Sequence, residues 1–187
     1  DFLKNGNVKI YVKSQKDSGG KLALRIPGYS RRFLVSRNGN EINSPRIEKG
    51  YLILEDMKAE EMITVSCNME ARFVHANPEV RADEGRVAIM RGPLVYCLEE
   101  TDNGRNLSSL YIDTKAGLTE AYEDELLGGV VTVSAKGKRI SNTGWNEDEL
   151  YKEQEIQLED VTLKAVPYCN WGNRKTGEMA VWIKELL

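Results

Sequence analysis

Apolar residues recur at every second position through most of this chain, and that period of two is what most limits its folds. In a strand, successive side chains point to opposite faces, so such a pattern becomes one buried and one solvated face. Val8, Ile10 and Val12 alternate with Lys9, Tyr11 and Lys13, and Leu22, Leu24 and Ile26 alternate with Lys21, Ala23 and Arg25. The turn signal Asp17-Ser18-Gly19-Gly20 between them predicts an antiparallel pair, and Pro27-Gly28 stops the second strand. Asn38-Gly39, between Phe33 to Ser36 and Glu41-Ile42, predicts a tight hairpin because both turn residues tolerate positive φ. Tyr51 to Leu54 and Ile63 to Cys67 continue the series, with Glu55 to Met62 between them as a short helical turn or a polar loop.

A second set of strand-like runs covers Arg86 to Arg91, Leu94 to Glu99, Tyr111 to Asp113, Val130 to Ser134, Val161 to Val166 and Met179 to Lys184. The polar stretch 76–85, with Pro78 and Gly85, suits a boundary between the two sets. The expected architecture is therefore all-β, as two antiparallel β-sandwich modules over residues 1–80 and 85–187. Leu118 to Leu127, stopped by Gly128-Gly129, is the best helical candidate and equally suits an exposed loop. Gly144 to Gln154 is polar and charged and reads as a surface loop.

Charge and composition narrow the function classes. The 26 Lys and Arg against 29 Asp and Glu leave a net charge of -3, without the positive excess that phosphate neutralisation requires, so nucleic acid is not an expected partner. No run approaches the roughly 18 apolar residues of a membrane helix, and the mean hydropathy of -0.47 agrees. No membrane partner is expected. The chain opens on Asp1-Phe2, with neither an initiator Met nor a signal pattern, and reads as a piece of something longer.

Few residues could carry chemistry. Three cysteines, Cys67, Cys97 and Cys169, lie far apart, which predicts reduced, buried thiols and no disulfide framework. With the single histidine, His75, they lack any zinc-ligand spacing, and His75 reads as a surface or structural residue. The acidic pairs Glu60-Glu61, Glu99-Glu100 and Asp124-Glu125 are adjacent in sequence, whereas a glycosidase needs carboxylates facing each other across a bond, so they read as solvated surface. Leu127-Gly128-Gly129-Val130 lacks the lysine and spacing of a phosphate loop. No catalytic, cofactor or metal residue is assigned. Trp145, Tyr168, Trp171 and Trp182 form a sugar-stacking set if they are exposed, with Trp145 and Trp171 as the candidate sugar contacts of a carbohydrate-binding module; packing in the core is the other reading.

Three segments together carry a resemblance: Leu24-Arg25-Ile26-Pro27-Gly28, Met90 to Tyr96 (Met-Arg-Gly-Pro-Leu-Val-Tyr), and Val166-Pro167-Tyr168 leading through Trp171-Gly172-Asn173-Arg174 to Trp182. Their order and spacing resemble the C-terminal part of bacterial β-L-arabinofuranosidase-type glycoside hydrolases. The resemblance implies the non-catalytic end of a larger enzyme, with an α/α-barrel catalytic domain upstream as its partner and a homodimer as a further assembly. It also implies that catalysis and zinc belong to the barrel, whose Glu-x-Cys element and Cys-Cys pair are not found here, so no cofactor is carried onto this chain.

Overall fold

The computed structural model describes residues 2–13, 19–153 and 155–186, so Asp17 and Ser18 of the expected first turn lie outside the described residues. Two compact units comprise Asp1–Glu70 and Ala71–Leu187. Both are built of strands paired almost throughout in antiparallel fashion, the expected fold class.

After a short helix, α1 (Phe2–Asn5), the first unit contains β1 (Asn7–Val12), β2 (Gly20–Arg25), β3 (Phe33–Arg37), β4 (Asn40–Glu41), β5 (Arg46–Glu48), β6 (Tyr51–Met57) and β7 (Glu61–Cys67). They form two sheets, ordered β1-β7-β3-β4 and β2-β6-β5. In β7, Ile63, Val65 and Cys67 are buried while Met62 is exposed, the face-by-face alternation of a half-buried strand. With Val35 from β3 and Leu52, Leu54 and Met57 from β6, they make one core shared by both sheets. Full burial of a side chain such as Leu52 or Ile63 contributes about 1.5–3 kcal/mol. Asn38 and Gly39 have φ of 52° and 81°, and Arg37 pairs with Asn40, as a tight hairpin requires.

One local expectation fails here and a second holds only in part. β1 and β2 do not pair with each other: β1 runs antiparallel to β7, and β2 to β6. Alternation specifies which face is buried but not which strand lies alongside, and Ile10, Val12, Leu22 and Leu24 all pack on the same core. Glu55 to Met62 is not a helical turn but the end of β6, a reversal through Glu60 at φ 60°, and the start of β7.

The second unit begins with β8 (Ala71–His75) and continues with β9 (Arg86–Arg91), β10 (Leu94–Glu99), helix α2 (Glu100–Asn103), β11 (Leu110–Ile112), β12 (Leu118–Glu123), β13 (Val130–Ile140), β14 (Leu158–Pro167), β15 (Met179–Ala180) and β16 (Ile183–Glu185). All nine strands belong to one sheet. Hydrogen bonding passes from β9 through β16, β11, β13 and β14 to β10, and β10 pairs back onto β9 at the Gly92-Pro93 turn, closing the sheet on itself. Only β11 and β16 run parallel among the described pairs. Val87, Ile89, Tyr96, Leu98, Leu110, Ile112, Val133 and Leu163 fill the interior, and the Tyr96 hydroxyl donates to the Val131 carbonyl at 2.8 Å. Gly137 is required where β13 crosses β11, because a Cβ there would sit 2.3 Å from the Tyr111 carbonyl oxygen.

The stretch 76–85 does not separate the two units. β8 pairs with β9 from Ala71↔Arg91 to His75↔Val87, so these polar residues connect two neighbouring strands of one sheet. Leu118 to Leu127 is also not helical. Its first part is β12, paired with β13 from Leu118↔Ala135 to Glu123↔Val130, and its end is the reversal through Leu127 and Gly128 at φ 53° and 78°.

Candidate functional site

Strand β10 carries the feature that alternation could not foresee. Tyr96 and Leu98 point into the core, so Cys97 and Glu99 point out of it, yet Cys97 is 1% and Glu99 3% exposed. The segment 168–178 lies over this outer face as a strap. It begins as a 3-10 turn, Tyr168–Asn170, and bends at Gly172, whose φ of 78° suits glycine.

The strap is held by charge. Arg174 donates to Glu99 Oε2 from Nε at 3.1 Å and also through Nη2, and it donates to Asp102 Oδ1 at 2.9 Å, with a second contact to Asp102 Oδ2. The Gly172 amide adds a bond to Glu99 Oε1 at 3.0 Å. Bonding to Asp102 and then Glu99 pushes the guanidinium pKa above its ordinary value. At the far end, Glu178 accepts from the Leu107 and Asn106 amides at 2.7 and 2.9 Å, which, Leu107 first, hold its carboxyl below the usual range. The Glu178 amide in turn donates to Glu100 Oε2 at 3.0 Å. Beneath the strap, burial first and then Glu99 push the Cys97 thiol up to about 12, which makes it an inert, protonated filler.

On its outer side the strap presents Tyr168 and Trp171, each 44% exposed, with ring centroids 5.9 Å apart and planes at 19°. Beside them opens a groove of about 580 Å³ lined by Arg86, Val95, Tyr168, Met179, Val181 and Trp182. Trp145, the other expected sugar contact, is 37% exposed on a separate loop, and Trp182 is half-buried.

Two carboxylates read as solvated surface are bound to neighbouring protein groups. Glu61, expected at the surface, is buried at the mouth of the first core, where it accepts from the Lys58 amide at 2.9 Å and from Arg37 Nη2 at 2.7 Å. Those bonds, the Lys58 amide first, hold its carboxyl below the usual range. Glu99 is likewise buried and not solvated, because the strap covers the face on which it stands. Asp124 and Glu125 are exposed as expected. His75 is exposed, its Nε2 3.0 Å from Glu185 Oε2. Cys67 and Cys97 are buried free thiols, but Cys169 is exposed on the strap, because the 3-10 turn carries it off the core. Zinc does not fit these residues: among the described residues no three His, Cys, Asp or Glu side chains gather as ligands. The sequence reading missed the Arg174 clamp, whose partners lie 72 and 75 residues away in the chain.

Comparison with known proteins places this architecture. Residues 71–184, nearly the whole second unit, match the model of the glycoside hydrolase family 127 C-terminal domain. The chain is 36% identical over 192 aligned residues to a non-reducing end beta-L-arabinofuranosidase of Bifidobacterium longum subsp. longum, covering 97% of this chain and 29% of that protein. Among solved structures it superposes on a family 127 beta-L-arabinofuranosidase from Geobacillus stearothermophilus T6 with a TM-score of 0.88 at 38% identity, covering 97% of this chain and 29% of that one. A second family 127 beta-arabinofuranosidase gives a TM-score of 0.83 at 29% identity, over 97% and 30% of the two chains. The chain thus spans less than a third of the length of these relatives, and it belongs to glycoside hydrolase family 127, to the part represented by that family's C-terminal domain.

Proposed function

We propose that this chain is an accessory, non-catalytic part of a larger β-L-arabinofuranosidase-type glycoside hydrolase, where it braces an upstream α/α-barrel catalytic domain. The observation that carries the reading is the state of three buried or half-buried carboxylates. Glu61 is bound by Arg37 and the Lys58 amide, and Glu99 and Asp102 are bound by Arg174. A glycosidase instead holds two carboxyl groups apart across an open gap that admits the glycosidic bond. Here Glu99 and Asp102 share one arginine and Glu61 belongs to a separate cluster, so these three acids stabilise the fold and none of them stands free as an acid or base.

Nitrophenyl β-L-arabinofuranoside hydrolysis, measured side by side on the longer protein and on this chain, tests the reading. Turnover by the longer protein alone is expected. Robust turnover by the 187-residue chain would overturn it.

A further inference from the structure

The strap places two aromatic rings in solvent on a foundation that is almost dry. Arg174, Glu99 and Asp102 satisfy one another beneath it, and the Gly172 amide is bound into the same cluster. The rings therefore stand on a segment fixed before any ligand arrives, which removes much of the ordering cost of binding. Arg174 beneath the strap is matched by two carboxylates, so it offers no unpaired positive charge to an anion. It combines flat apolar rings with the amide side chains of Asn170 and Asn173 on the same turn.

A neutral sugar ring has the complementary chemistry. One of its faces is a sheet of C–H bonds that packs on an aromatic π-surface, and its rim carries hydroxyls that exchange hydrogen bonds with amides, which both donate and accept. The adjoining groove, with Arg86 at its edge and Val95, Met179, Val181 and Trp182 along it, would take a second sugar unit. We propose that Tyr168 and Trp171 form a binding subsite for a neutral oligosaccharide. Trp145 has no part in it. The subsite is independent of the accessory-domain reading, since either stands if the other fails.

The test is NMR titration of the 187-residue chain with xylotetraose, cellotetraose and methyl β-L-arabinofuranoside, following the indole N–H signals. At least one probe should give a saturable shift at Trp171, with a dissociation constant in the millimolar range. Trp171→Ala and Tyr168→Ala should each weaken it roughly tenfold, the scale of one lost aromatic contact. Trp145→Ala should leave it unchanged, and Trp171→Phe, which keeps a ring on the strap, should retain part of it. Absence of a saturable shift with all three probes at tens of millimolar would overturn the proposal. Binding undiminished in both folded alanine variants would overturn it equally.

Discussion

Two loops of the second unit each carry an exposed tryptophan, and they are secured in opposite ways. The strap around Trp171 is tied to residues more than seventy positions distant: Arg174 to Glu99 and Asp102, Gly172 to Glu99, and Glu178 to Asn106 and Leu107. The described residues of the loop 141–157 around Trp145 bond mostly among themselves, as in Lys152 Nζ to the Gly144 carbonyl at 2.6 Å and Trp145 N to the Asn142 carbonyl at 3.2 Å. That loop leaves Leu150 80% and Tyr151 91% exposed. Composition does not separate the two, since both are polar stretches with one tryptophan. The difference lies in whether a buried, matched charge anchors the segment, and it decides which tryptophan can serve as a rigid surface.

The strap differs from the loop most sharply at Arg174. Arg174→Ala strands two carboxylates, one of them nearly fully buried, and should cost about 3 kcal/mol or more, measured by urea unfolding of the second unit. A loss below about 1 kcal/mol would mean that the clamp behaves as an ordinary surface ion pair. Leu98→Ala, on the core-facing side of the clamped strand and fully buried, should cost about 2–5 kcal/mol. If it unfolds the second unit while the first keeps its own transition, the two cores are energetically separate.

Acid should loosen the far end of the strap. Glu178 has a depressed pKa, through the Leu107 amide first and then the Asn106 amide, with Arg105 and Arg139 nearby. Its contribution is therefore fully present above the unfolded carboxylate value of about 4.3 and is lost as pH falls through the lower folded value. The Asn106 and Leu107 amide resonances should move only in that acidic window, and Glu178→Gln should abolish the titration. Movement at neutral pH would contradict the assignment. The smallest effect belongs to Trp145→Ala, which should change stability by less than about 0.5 kcal/mol.

How far the sequence could be read follows from the same physics. Period-two patterning located most strands and their buried faces, as with Ile63, Val65 and Cys67 in β7, and Asn38-Gly39 marked its hairpin because that turn demands particular backbone angles. Both signals are local. Strand partners are not, which is why β1 joined β7 when the sequence paired it with β2, and why Ala71–His75 joined the second unit. Glu99 looked solvated because alternation put it outside the core, and only the strap, folding back from the other end of the unit, buries it. Leu118 to Leu127 read as a helix stopped by Gly128-Gly129 or, from its acidic residues, as an exposed loop, but β13 offered its first part a complete set of ladder partners. Trp171 was legible as a candidate by residue type alone, whereas its stacking partner and its anchor depended on tertiary contacts.

The bracing role is tested most directly by shortening a longer family 127 protein so that it ends where homology to this chain begins, and comparing thermal midpoint and arabinofuranosidase turnover with the intact enzyme. If this region braces the barrel, the shortened enzyme melts lower or aggregates, and its active-site chemistry survives in whatever fraction stays folded. A shortened enzyme that is as stable as the intact one, or a folded one whose chemistry is abolished, would contradict it.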